Sequence, residues 1–117
     1  MIETTSMTVG IQVGDLEQAK AWYGRLLDAT PDIEPVEGIL EYEVHAGFWL
    51  QISRGDQSSG GSVVRFGVRD IESARKRLID NGVVVGEIER IEGIIALLDL
   101  RDPWDNQLSF YQVLGGA

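Results

Sequence analysis

Apolar and polar residues alternate from Thr8 to Val13, so Val9, Ile11 and Val13 share one face of a strand and Thr8, Gly10 and Gln12 the other. The alternation stops at Asp15, and Leu16, Ala19, Tyr23, Leu26 and Leu27 follow at helical spacing with Trp22 beside them. Asp15 is suited to cap that helix, because its carboxylate accepts from the exposed first-turn N–H groups, and Glu17 complements the helix dipole. Thr30-Pro31 is the expected end, since the residue before a proline is pushed out of the α region. Ile39 to His45 and Phe48 to Ser53 alternate again around Ala46-Gly47, which predicts a hairpin, and a shorter strand is expected around Ile33 to Val36.

The second half repeats this grammar. Val64-Arg65-Phe66-Gly67-Val68-Arg69-Asp70-Ile71-Glu72-Ser73-Ala74 restates the pattern of Val9 to Ala19. Val64, Phe66 and Val68 form a packing face, Asp70 caps, and Ile71, Ala74, Leu78 and Ile79 make a helical stripe closed by Asn81-Gly82. Strands are expected at Val83 to Glu89, Ile94 to Leu100 and Gln107 to Val113, with turns at Glu92-Gly93 and Asp102-Pro103-Trp104-Asp105-Asn106. The order β-α-β-β-β thus occurs twice, an α+β architecture whose helices cover one face of curved mixed sheet. The reading is one domain over residues 1–117: module one at about 7–53, a polar, glycine-rich linker at 54–61, and module two at about 62–113.

Composition narrows the function classes. The 117 residues carry 19 acidic against 10 basic side chains, a formal charge of −9, which repels phosphate backbones and argues against nucleic-acid binding. No apolar run approaches the roughly 18 residues of a membrane span and no basic leader precedes an apolar stretch, so no membrane association and a cytoplasmic location are expected. The absence of cysteine removes disulfides, thiolate nucleophiles and zinc–thiolate sites together.

Two segments carry a resemblance. Asp15-Leu16-Glu17-Gln18-Ala19-Lys20-Ala21-Trp22-Tyr23 after a strand, followed late in the chain by Asp102-Pro103-Trp104-Asp105-Asn106, resembles the vicinal oxygen chelate superfamily of glyoxalase I, bleomycin-resistance proteins, fosfomycin-resistance transferases and extradiol dioxygenases. The resemblance runs from Met7 to Val113 and implies two βαβββ modules curled around a shared cavity, often completed by a dimer. Enzymes of that group hold a divalent metal that polarises vicinal oxygens of the substrate. The positions this implies are Thr8, Gln51, Val63 and Ser109, which supply neither imidazole nor carboxylate. Asp105 stands where the family's turn usually has glycine.

No metal, no cofactor and no catalytic residue are therefore assigned. Strand alternation places Glu41, Glu43 and His45 on one side, where a displaced metal site or acid–base chemistry is the minor alternative to a surface cluster. The candidate ligand-binding residues are Thr8, Gln12, Glu41, Glu43, His45, Trp49, Gln51, Arg65, Trp104, Ser109 and Tyr111. An indole beside amides and hydroxyls is a typical small-ligand lining, although Trp49 is equally read as filling a shrunken cavity or a dimer seam. Trp104 is read as a lid or an interface anchor. The expected function is metal-independent binding of a small cationic or aromatic compound, in a homodimer. The alternative is a divergent glyoxalase- or dioxygenase-like enzyme with a rebuilt site.

Overall fold

Nine elements form where the two periodicities run. In the computed structural model, whose described residues are 3–34, 38–55 and 63–115, they are β1 (Met7–Val13), α1 (Leu16–Leu27), β2 (Ile39–His45), β3 (Phe48–Arg54), β4 (Val63–Gly67), α2 (Ile71–Asp80), β5 (Glu89–Ile91), β6 (Ile95–Arg101) and β7 (Gln107–Val113). The chain divides into two compact units, residues 1–61 and 62–117. Most of the expected linker, residues 56–61, and the end of the expected strand at Val36 lie outside the described residues. No helix among the described residues is long and apolar enough to cross a membrane.

Each unit is a helix laid on a mixed sheet. In the first, β3 is central, parallel to β1 and antiparallel to β2, and α1 lies against β2 and β3. Leu40, Tyr42, Leu50, Ile52, Ile11 and Val13 share the helix-covered face and are buried, as are Ala19, Tyr23 and Leu26 of α1. In the second, the order is β4-β7-β6-β5, with β4 parallel to β7 and the remaining pairs antiparallel. Leu98, Leu100, Leu108 and Phe110 are buried there with Ile71 and Leu78 of α2. The side-chain Oε1 of Gln112 reaches across to accept from the backbone N–H of Ile71 at 2.9 Å, tying the start of α2 to β7.

Both aspartate caps form. Asp15 Oδ1 accepts from the Gln18 N–H at 2.9 Å. Asp70 accepts from the N–H groups of Glu72 and Ser73 and from Ser73 Oγ, and the Ser73 hydroxyl foremost holds its carboxyl below the usual range. Asn81-Gly82 closes α2 as expected, with Gly82 at φ 81° and the N–H groups of Gly82 and Val83 bonded to the carbonyls of Ile79 and Leu78.

Five expectations need correction. The strand expected from Ile33 is, among the described residues, only an isolated antiparallel bridge between Ile33 and Glu41. Helix α1 stops at Leu27, ahead of Pro31, because Asp28 turns left-handed at φ 54° and Ala29 N–H returns to Gly24 O. The strand expected over Val83 to Glu89 shrinks to Glu89–Ile91: Val83 is consumed by the α2 cap, and Val84 is exposed. Ile79, assigned to the helical stripe, is 48% exposed, as is Phe48 at the start of β3, since each lies near the end of its element, beyond the core. Finally, the β2 alternation breaks before His45, with consequences described next.

Candidate ligand-binding faces

On the first sheet the face away from α1 is arranged in rows fixed by register. Thr8, Trp49 and Glu43 form one row, Gly10, Gln51 and Glu41 the next, and Gln12, Ser53 and Ile39 the third. Trp49 sits half-buried on the central strand, between an exposed hydroxyl and an exposed carboxylate. Gln51 Nε2 donates to Glu41 Oε1 at 3.2 Å, so the second row is closed by its own hydrogen bond. Glu43 is anchored at both ends: its N–H donates to Asp32 Oδ2 and its Oε2 accepts from Gly47 N–H. The Gln12 side chain lies against Gly55, where an added Cβ would come within 2.8 Å of it.

His45 does not join that face. The register slips between Glu43 and His45, leaving His45 opposite Phe48 with ring centroids 5.9 Å apart. A bulge adds one residue and turns everything beyond it to the other side. The strict alternation expected of Glu41, Glu43 and His45 is thereby overturned, and among the described residues no group of three or more acidic, histidine or cysteine side chains is placed to hold a metal.

The second sheet repeats the rows with different chemistry. Arg65, Ser109 and Asp99 align across β4, β7 and β6, flanked by Val63, Gln107 and Arg101 on one side and by Gly67, Tyr111, Leu97 and Glu89 on the other. Ser109 is fully buried and its Oγ has no hydrogen-bond partner. Tyr111 lies over Gly67, where an added Cβ would meet the ring at 3.1 Å. Trp104 belongs to neither set of rows. It is half-buried in the β6–β7 turn, where Asp102 Oδ1 accepts from the N–H groups of Trp104 and Asn106, and Asn106 Nδ2 donates to Asp102 Oδ2. Asp105 takes φ 67° in this turn, the left-handed conformation that glycine adopts most readily.

Asp99 was missed by the sequence reading. Its signal was available, because it is the acidic residue of an otherwise apolar β6 interior and corresponds to Glu41 in the first module. The four positions implied for a metal do not fit one. Thr8 and Gln51 fall in adjacent rows of the first sheet, and Val63 and Ser109 in adjacent rows of the second. The set offers two hydroxyls, an amide and an alkyl group, whereas divalent transition metals are held by imidazole, carboxylate or thiolate.

No family model matches the chain, and no curated protein matches it. Solved structures do. A glyoxalase/bleomycin resistance protein from Catenulispora acidiphila DSM 44928 superposes at a TM-score of 0.85 with 24% identity, covering 94% of this chain and 99% of that one. The fold is that of the glyoxalase/bleomycin-resistance proteins. At 18% identity and a TM-score of 0.73, a genomically encoded fosfomycin resistance protein from Listeria monocytogenes covers 96% of this chain and 94% of its own. A lactoylglutathione lyase from Agrobacterium tumefaciens gives 0.75 at 13% identity, covering 95% of each chain. A variant of the Listeria protein was solved with Mn(II) and a dihydroxypropylphosphonic acid. These likenesses, all under 25% identity, show the fold that this chain shares with those proteins.

Proposed function

We propose that this protein binds a small cationic, partly aromatic compound without a metal, using the Trp49 face of its first unit. The observation that carries this reading is the row Thr8–Trp49–Glu43 beside the Gln51–Glu41 pair. An indole flanked by carboxylates attracts a cation through its ring quadrupole and through charge, and the chain's net charge of −9 adds long-range attraction. The donor set at the four implied metal positions points the same way. We further propose that the protein works as a homodimer.

Fluorescence tests the ligand class. With Trp22→Phe and Trp104→Phe in place, Trp49 is the single indole, and titration with benzyltrimethylammonium or bleomycin should give a saturable change. Adding Glu43→Gln should weaken it about tenfold, or about 1.4 kcal/mol. No saturable response to either probe overturns the reading. Metal analysis of protein purified without a histidine tag separates it from the alternative: stoichiometric Zn, Ni, Fe or Mn, lost in His45→Ala, would favour a divergent glyoxalase- or dioxygenase-like enzyme.

A further inference from the structure

The two sheets share a register but differ in whether their middle rows are satisfied. Gly10 and Arg65 each stand five residues before their capping aspartate, and each begins a row that crosses the central strand to an acidic residue. In the first unit Gln51 is long enough to bond Glu41, and nothing projects from Gly10. In the second, Ser109 is too short to do the same. Its hydroxyl is buried and unpartnered, and among the described residues neither the Arg65 guanidinium nor the Asp99 carboxylate has a hydrogen bond or ion pair. A guanidinium, a hydroxyl and a carboxylate thus stand in line, each with unused bonding capacity.

We propose that the Arg65–Ser109–Asp99 row is a binding site for a small amino-acid-type zwitterion, with the ligand carboxylate on Arg65 and its ammonium on Asp99. Adjacent strands lie about 4.8 Å apart, which puts the Arg65 and Asp99 backbones roughly 10 Å apart with Ser109 midway. Side chains stand roughly perpendicular to a sheet, so the two charged heads rise on one face and suit a ligand whose opposite charges are separated by a few carbon atoms. Arg65 presents a planar fork matched to a carboxylate. The buried Ser109 hydroxyl forms the floor and gains the partner it lacks. A simple anion would meet Asp99 and the chain's negative field, and a simple cation would meet Arg65. A ligand carrying both charges satisfies the row.

This site is independent of the Trp49 reading, since none of its residues lies in the first unit. Calorimetric titration of the full chain with glycine, β-alanine and γ-aminobutyrate, with acetate and ethylammonium as single-charge controls, tests it. At least one zwitterion should bind saturably and at least tenfold more tightly than either control. Arg65→Gln and Asp99→Asn should each weaken that binding tenfold or more. Ser109→Ala should weaken it several-fold while leaving the melting temperature unchanged or raised, because removing an unpaired buried hydroxyl relieves a penalty. Absence of saturable heat with all three zwitterions, binding that survives Arg65→Gln or Asp99→Asn, or a Ser109→Ala variant that binds normally or melts lower would each overturn the proposal.

Discussion

Tyr42 carries an unusual burden for a core residue. It is 1% exposed beneath α1, and its hydroxyl finds no hydrogen-bond partner. Burial pushes its phenol up to about 12, with the nearby Glu34 carboxylate adding to the shift. An unpaired buried hydroxyl costs about 1 kcal/mol or more, so Tyr42→Phe should raise the unfolding free energy at neutral pH by about that amount. The same residue makes stability fall in alkali. Between its ordinary value of 10.0 and about 12 the unfolded chain releases this proton while the folded chain retains it, so rising pH favours unfolding. Denaturant melts from pH 9 to 12 should show the wild-type protein losing stability more steeply than Tyr42→Phe. Parallel curves would show that Tyr42 ionises as freely folded as unfolded.

At the level of elements, the aspartate caps make the strand-to-helix transitions sharp. Asp15→Ala should cost about 1 kcal/mol, through loss of the bond to Gln18 N–H. Asp70→Ala should also lower the melting temperature, with a pH signature of its own. Because the Ser73 hydroxyl and backbone hold the Asp70 carboxyl below the usual range, its contribution is complete above about pH 4 and is lost as pH falls through its depressed value. The difference in melting temperature between wild type and Asp70→Ala should therefore narrow below about pH 4. A gap that widens in acid would mean that the cap works through something other than its charged carboxylate. The two β-hairpins show the complementary case, where one element end redirects chemistry. The bulge before His45 removes the lone histidine from the carboxylate row, while the Asp102 bonds hold the β6–β7 turn closed.

For the whole molecule, the apolar surface argues for association. Met7 and Phe48 are 56% and 48% exposed in the first unit, and Ile94 and Val113 are each 61% exposed in the second. Trp104, read as a possible interface anchor, is half-buried, as are Ile95 and Leu97. Strands β1 and β4 are edges of their sheets. Burying such residues and edges offsets the repulsion between chains of charge −9, which salt screens beyond about 8 Å. Sedimentation at micromolar concentration should give twice the 12.9 kDa chain mass. A stable monomer in moderate salt would remove the dimer from the proposed function.

The sequence by itself determined the strand–helix–hairpin order common to both units, both caps, the Asn81-Gly82 stop and the separation of each sheet into a packed and a polar face. These depend on periodicity and on bonds spanning a few residues, so Asp15, Asp70 and the alternating strands speak for themselves. For the same reason it set Trp49 and Gln51 on one face of their strand and Glu41 and Glu43 on one side of theirs. Tertiary structure decided which of those residues stand side by side, because register is set by pairing between distant strands. Only the pairing of β7 with both β4 and β6 lines up Arg65, Ser109 and Asp99. Only the local slip against β3 turns His45 away. Side-chain reach settled the rest: the same row position closes on itself where Gln51 meets Glu41 and stays unsatisfied where Ser109 faces Asp99.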